Sequence, residues 1–373
     1  MGNLSHLLQE SWTVVAEQQE KLAGYFYARI FLSNPHLRDL FPVQMDVQRA
    51  RLLGAIVTAV RTLDAPEQLD VYLRGLGRDH RKFEVAPEQY AVVGDALLES
   101  LRIFGGERWT PEFDQAWRDA YGLIAQKMID AAEADADTNP PYWVAEVLSH
   151  ERRGRDVAVL TALPGRKLEY RPGQYVSVEC PAHQPRLWRV YSIANAPRRD
   201  HTLEFHVRAL STGWVSGMMV RRVRPGDLLR LAAPMGSMTM DRDSTRDIVF
   251  VAGSTGLAPI KALLEELTRY NRTRWVHLFF GGGTREDLYD LPELRAIAAR
   301  HPWVSLVPAC SRDAGFEGEH GDVSEIVGRY GPWDRHDFYV AGSSGMVRAT
   351  LRTLAALNVP ADRIRYDAFG AVQ

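Results

Sequence analysis

The chain has 373 residues, 46% hydrophobic and 25% charged, with a formal net charge of −2. That length exceeds one ordinary core and suits two or three domains, and the near-neutral balance offers no broad basic surface to nucleic acid or an acidic membrane. Cys180 and Cys310 stand too far apart for a CxxC-type metal site or a disulfide framework; with no apolar run of membrane-spanning length and no signal-peptide pattern, a cytoplasmic protein without a membrane span is expected.

From residue 1 to about 135 the chain reads as one helix after another. Leu22, Phe26 and Ile30 recur every four residues; Asn34-Pro35 is a helix-start signal, and Leu52, Leu53, Ile56, Val57 and Val60 form one stripe. Pro87 opens a segment with Tyr90, Val93, Leu97 and Leu101 on one face, and Thr110-Pro111 opens another with Trp117, Tyr121, Ile124 and Met128 inward. Past the acidic, proline-ended connector "EADADTNPP" (133–141), alternation replaces helical spacing: Tyr175-Val176-Ser177-Val178, then Leu203, Phe205 and Val207. With turn signals at Arg171-Pro172-Gly173 and Arg224-Pro225-Gly226-Asp227, residues 142–240 predict a small antiparallel β-barrel. From 246 onward "DIVFVAG", "WVHLFFGGG", "WVSLVPAC" and "DFYVAG" alternate with helical segments, the pattern of an α/β domain on a parallel sheet. The expected fold class is multidomain: all-α over 1–135, antiparallel β-barrel over 142–240, α/β parallel sheet over 246–373.

In "RVYSIANAP" (189–197), Arg189 and Tyr191 share one face of a strand and Ser192 takes the other. A planar cofactor carrying a pyrophosphate uses all three, with guanidinium on phosphate, phenol against the ring edge and hydroxyl near a flavin N5; an amphipathic strand accounts for the same residues. In "VAGSTGLAPIKALLEEL" (251–267), Gly253 and Gly256 lie between a buried strand and a helix with Pro259 near its start. Glycine lets backbone approach a pyrophosphate and the helix end supplies free N–H groups, although a plain strand-to-helix turn has the same spacing. "AGST" and "AGSSG" lack the GxSxG spacing of a serine nucleophile elbow.

Taken in order, "RPGQYVSV", "RVYSIANAP", "STGWVSGMM", "GSTGLAP", "FGGGTREDLYDL", "YVAGSSGMV" and "YDAFG" resemble the FAD and nicotinamide motifs of the ferredoxin-NADP reductase superfamily over residues 142–373. The resemblance implies that Arg189, Tyr191 and Ser192 hold the FAD pyrophosphate, ring and N5 edge. It implies a second FAD-phosphate contact at Gly213 and Ser216. Gly253, Thr255, Gly256 and Pro259 become the nicotinamide-nucleotide loop, and Phe369 the cover of the isoalloxazine. Ala341-Gly342-Ser343 stands where the superfamily usually has Cys-Gly-Pro.

A flavin that accepts a hydride and releases single electrons calls for a one-electron acceptor, and two cysteines cannot hold an iron–sulfur cluster. Residues 1–135 resemble a globin, and more closely the globin half of the flavohaemoglobins, through "GYFYARIFLSNPHLRDLF" (24–41) and "GLGRDHRKFEVAPEQYAVVGDALLESL" (75–101). The match implies that His80 is the proximal iron ligand of a haem b. Tyr27 and Gln48 become the distal polar pair, Gln48 only if the loop after Phe41 is shorter than usual. Phe41 is then the aromatic residue against the haem, Leu52 the distal apolar wall, and Tyr90 the group behind His80. Asp79 replaces the usual lysine before the histidine, and ungapped matching puts Ala132, with Glu133 adjacent, where the family has a glutamate.

The resemblance implies an NAD(P)H-dependent nitric oxide dioxygenase. Hydride passes to FAD, single electrons pass to haem, and haem-bound oxygen converts nitric oxide to nitrate. Two alternatives remain at this stage: a flavin reductase feeding haem for another oxidant or feeding a separate oxygenase, and an oxygen-binding sensor or store with reductase upkeep. Ser311-Arg312, with Arg285, is a candidate 2′-phosphate contact, which leaves NADH against NADPH open. No protein partner is evident.

Overall fold

Proline at the first turn begins three helices of the N-terminal region, where its missing N–H is no loss and its fixed φ suits the helix. The computed structural model describes residues 2–41, 45–211 and 213–369. They divide into two compact units whose sequence boundary lies between Tyr142 and Trp143.

Six α-helices make up the first unit among the described residues: α1 (Gly2–Val15), α2 (Gln19–Ser33), α3 (Asp46–Thr62), α4 (Pro66–His80), α5 (Pro87–Gly105) and α6 (Pro111–Ala136). The four-residue repeat of Leu22, Phe26 and Ile30 is buried and packs with Leu97, Leu101 and Trp117. Removing a side chain such as Leu101 from such a core costs about 2–5 kcal/mol. Thr110 caps α6 by accepting from the Phe113 N–H at 3.3 Å. Asn34-Pro35 starts only a six-residue 3-10 segment, Pro35–Leu40, and the Asn34 side chain caps nothing.

The second unit begins with β1 (Trp143–Arg153), β2 (Val157–Pro164), β3 (Tyr175–Cys180), β4 (Gln184–Ser192), β5 (Leu203–Arg208), α7 (Trp214–Arg221) and β6 (Leu228–Leu231). These strands pair antiparallel in the order β4-β3-β6-β1-β2-β5. Ile193, just past β4, bridges to Phe205 of β5, so the two edge strands meet and the sheet closes. Val176, Val178, Leu203, Phe205 and Val207 fill the interior. Gly173 at φ 89° and Gly226 at φ 93° provide the left-handed residues that the two Pro-Gly turns require.

The chain continues through β7 (Asp247–Gly253), α8 (Leu257–Tyr270), β8 (Val276–Gly282), α9 (Leu291–Arg300), β9 (Val304–Cys310), β10 (Glu319–His320), α10 (Val323–Tyr330), β11 (His336–Ser343), α11 (Ser344–Ala356) and β12 (Ile364–Phe369). This second sheet is parallel, ordered β10-β9-β8-β7-β11-β12. Chain order reverses at β7, with β8 on one side and β11 on the other, and the crevice at the C-terminal ends of β7 and β11 is where such sheets bind ligands. The expected fold class, helices followed by an antiparallel and then a parallel sheet, is the one observed. Among the described residues no helix is long and apolar enough to cross a membrane.

Candidate functional site

His80 closes α4, and its Nδ1 lies 2.8 Å from the Leu76 carbonyl one turn earlier. A carbonyl only accepts, so Nδ1 carries the hydrogen and Nε2 keeps its lone pair, the form an iron ligand needs. Burial lowers the imidazolium pKa, partly opposed by the charge of Asp79, so the ring is neutral near pH 7. Leu73 and Leu76 of α4 and Leu52 and Ile56 of α3 line an apolar cavity of about 130 Å³, reaching Leu97 and Trp117. The helix that ends in His80 thus supplies part of an apolar wall, and a neutral imidazole next to an apolar wall is the chemistry a haem site calls for.

On α2, Tyr27 is 4% exposed and packs edge-on against Phe41 with ring centroids 5.5 Å apart. Its hydroxyl donates to the backbone carbonyl of Gln48, in the first turn of α3, at 3.3 Å. Tyr27 and Gln48 are therefore brought together, as are Phe41 and Leu52, which pack on the same core. Burial raises the Tyr27 pKa well above that of a free phenol and keeps the group a donor.

His80 itself lines a second cavity, of about 310 Å³, together with Tyr90, Val85, Ile129, Ala132 and Glu133. The α6 register is pinned by an Arg81–Asp135 ion pair and by Arg81 donating to the Asn139 carbonyl at 2.8 Å. One residue along a helix turns a side chain by roughly 100°, and Glu133 accordingly stays exposed. It makes no hydrogen bond to His80 or Tyr90 among the described residues. Asp79, in the place of the expected lysine, accepts a two-oxygen ion pair from buried Lys82 at 2.6 Å.

In the second unit, β4 pairs Val178 with Arg189 and Val176 with Tyr191, which confirms that these two share a face. Arg189 is partly exposed, with one N–H on the Trp188 carbonyl at 2.9 Å. Ser192, on the other face, is buried and its Oγ has no hydrogen-bond partner. A buried hydroxyl without a partner beside an aromatic phenol suits a polar-edged ring such as a flavin. Gly213 is the N-cap of α7, where the Ser216 hydroxyl accepts from the Leu210 N–H and donates to the Gly213 carbonyl, both at 3.2 Å. Ser216 thus braces the loop that the sequence marks for phosphate.

Gly253 ends β7, Thr255 and Gly256 form a 3-10 turn, and Pro259 lies in the first turn of α8. A Cβ on Gly256 would collide with the Ala341 carbonyl of β11, so glycine is required for this turn to sit in the crevice. Phe369 pairs with Ser343 at the same edge, its carbonyl accepting from the Ser344 hydroxyl at 3.0 Å.

Sequence reasoning missed one face of β5. Glu204, His206 and Arg208 alternate there and reach the parallel-sheet part of the unit: Glu204 to Lys261 at 3.1 Å, His206 to the Tyr289 hydroxyl at 2.7 Å, and Arg208 to Ser254 and Asp287 at 2.8 and 2.7 Å. Charge at every second residue of "LEFHVR" was the available signal.

A helical unit with a ligand-ready imidazole, followed by a barrel and a parallel sheet with a switch-point crevice, defines a haem- and flavin-bearing oxidoreductase. Comparison with known proteins bears this out. Three family models match: Globin over residues 24–128, the oxidoreductase FAD-binding domain over 145–240 and the oxidoreductase NAD-binding domain over 250–352. The Flavohemoprotein of Bordetella pertussis is 30% identical over 397 residues, covering 98% of this chain and 97% of the relative. The chain belongs to the flavohemoprotein family, and its cofactors are haem, FAD and a nicotinamide nucleotide. A flavohemoglobin structure from Malassezia yamatoensis with bound FAD and heme shares the fold, with a TM-score of 0.81, 18% identity and 99% coverage of both chains. The FAD/NAD-binding domain of a nitric oxide dioxygenase from Vibrio cholerae matches 61% of this chain and 98% of its own, at TM-score 0.55 and 22% identity.

Proposed function

We propose that this oxidoreductase is an NAD(P)H-dependent nitric oxide dioxygenase, organised as a globin domain over 1–135, an FAD barrel over 142–240 and a nicotinamide domain over 246–373. The observation that carries the reading is the Tyr27 hydroxyl, buried at the carbonyl of Gln48, in the same core as the apolar slot lined by Leu52 and Leu76. When bound, haem and FAD supply oxygen binding and the delivery of electrons from NAD(P)H, which together turn nitric oxide and oxygen into nitrate. His80 would hold the iron through Nε2, since the Leu76 carbonyl keeps the hydrogen on Nδ1. The slot's Leu52, Ile56 and Leu97 admit small apolar gases and exclude water. Tyr27 is kept protonated by burial, and its single O–H, turned from the Gln48 carbonyl, would offer a hydrogen bond where negative charge develops.

In the second unit, Arg189 and the Gly213 turn would hold the FAD phosphates, and Tyr191 and the unpartnered Ser192 hydroxyl would hold its ring. The Gly253–Pro259 segment would receive the nicotinamide nucleotide, and Phe369 would cover the flavin ring.

The test begins with absorption spectra of the purified protein under anaerobic NADH and then NADPH, in which both flavin bleaching and a Soret shift are expected. Nitric oxide consumption in air is then compared with Tyr27→Phe, which should fall about a hundredfold at equal haem content, in keeping with the loss of one preorganised donor. Wild-type consumption and wild-type oxygen release in that variant would overturn the reading.

A further inference from the structure

We propose that Arg208 is a positioning residue for hydride transfer, holding the nicotinamide loop in register with the flavin barrel. The proposal rests on reading residues 253–259 as that loop.

Arg208 is the last residue of β5, the barrel's edge strand, and its guanidinium engages three segments at once. Nε donates to Asp156 in the turn between β1 and β2 at 2.8 Å, Nη1 to the Ser254 hydroxyl at 2.8 Å, and Nη2 to Asp287 at 2.7 Å. Asp287 also accepts from the Thr284 N–H at 2.9 Å, so the turn after β8 is tied to the same group. One side chain thus joins the barrel to both loops at the C-terminal edge of the parallel sheet.

Ser254 shows why the loop needs an external hold. Its φ is +51°, in the left-handed region that disfavours a residue with a Cβ, and the next residues are Thr255 and Gly256. A serine here keeps that conformation when its surroundings fix it, and the Arg208 bond to its hydroxyl does so directly. Glu204 and His206 on the same strand face carry contacts of their own, to Lys261 and Tyr289. The barrel and the sheet therefore stay joined without Arg208, which leaves it the narrower task of setting the loop.

The transfer moves one hydride, two electrons with a proton, from reduced coenzyme to flavin, and its rate depends steeply on how closely the two rings approach. The experiment uses the full-length protein loaded with haem and FAD, with anaerobic rapid mixing against NADH and flavin absorbance as readout. Arg208→Lys keeps the charge but loses the fork. It should slow flavin reduction about tenfold and weaken the long-wavelength charge-transfer absorbance between nicotinamide and flavin, with FAD content and melting temperature unchanged. Adding Ser254→Gly, which adopts positive φ unaided, should recover a large part of the loss.

Wild-type reduction rate and charge-transfer absorbance in Arg208→Lys would refute the proposal. So would a slowing that merely follows lost FAD and that Ser254→Gly fails to recover. Thr255→Trp separates the two levels: if filling the loop leaves reduction by NADH intact, the loop reading itself is wrong. If it blocks reduction while Arg208→Lys does nothing, only the role of Arg208 fails.

Discussion

His80 and Leu76 are joined by a 2.8 Å hydrogen bond from the ring Nδ1 to the main-chain carbonyl one helical turn back. The bond leaves Nε2 without a hydrogen, so the atom proposed as the iron ligand is prepared by α4 itself. His80→Gly should abolish the Soret band of ligated haem, and added imidazole should restore it. A Soret band unchanged in His80→Gly without imidazole would mean that another residue holds the iron.

Ala132, half-buried, and Glu133, exposed, line the cavity beside His80, and among the described residues no carboxylate shares the Nδ1 hydrogen with the Leu76 carbonyl. Ala132→Glu should supply an acceptor beside Tyr90 and make the imidazole more electron-donating. Resonance Raman should then show a higher iron–histidine stretching frequency and potentiometry a lower haem potential, while Glu133→Gln should leave both unchanged. A fall in that frequency in Glu133→Gln would show that Glu133 already acts on the histidine.

Lys261 is 4% exposed and faces three carboxylates, Glu204 at 3.1 Å and Asp290 and Glu293 at 2.9 Å. Burial alone would lower its pKa, yet the three carboxylates raise it; Glu204, which burial alone would raise, is held low by His206 and Lys261. Lys261→Met strands these charges and should destabilise the second unit by about 3–5 kcal/mol. The sign with pH follows from both shifts. Stability from a depressed carboxylate is present above its unfolded value of about 4.3 and is lost as pH falls; stability from a raised ammonium is present below about 10.4 and is lost as pH rises. Urea titrations should therefore show the largest gap between variant and wild type across neutral pH, narrowing in acid. A gap that widens below pH 4 would contradict this account.

Arg285 and Arg312 differ in what they have free. Arg285 is engaged by Asp313 at 2.6 and 3.0 Å, which holds the Asp313 carboxyl down at about 2. Arg312 is exposed and rests its guanidinium over Gly283, next to Ser311. Arg312→Ala should raise the KM for NADPH about tenfold and leave that for NADH unchanged, as expected for one charge-assisted bond to a 2′-phosphate. Equal effects on both coenzymes would remove Arg312 from phosphate recognition.

The change from four-residue spacing to alternation at "EADADTNPP" made the fold class legible, since core burial imposes those periods on helices and strands. The pairing of Arg189 with Tyr191 on one face also followed from the two-residue period alone. Other features depend on contacts far apart in the chain. Glu133 and Ala132 differ by one residue, and which of them turns inward is decided by the Arg81–Asp135 pair, 54 residues apart in sequence. Asp79 looked like a lost lysine, whereas Lys82 at the start of the following turn answers it directly. Arg208 matched no motif, because its partners at Ser254 and Asp287 come from loops that only the fold brings near.

The seam of the barrel lies where Ile193 meets Phe205, one residue beyond the unpartnered Ser192 hydroxyl and two beyond Tyr191. A flavin bound as proposed at Tyr191 and Ser192 would therefore lie beside a seam held by a single bridge and would act as a staple across it. Loss of the flavin should be felt as local opening, with amides of β4 and β5 exchanging with solvent before those of β1 and β2, and flavin supply becomes part of how long this molecule keeps its shape.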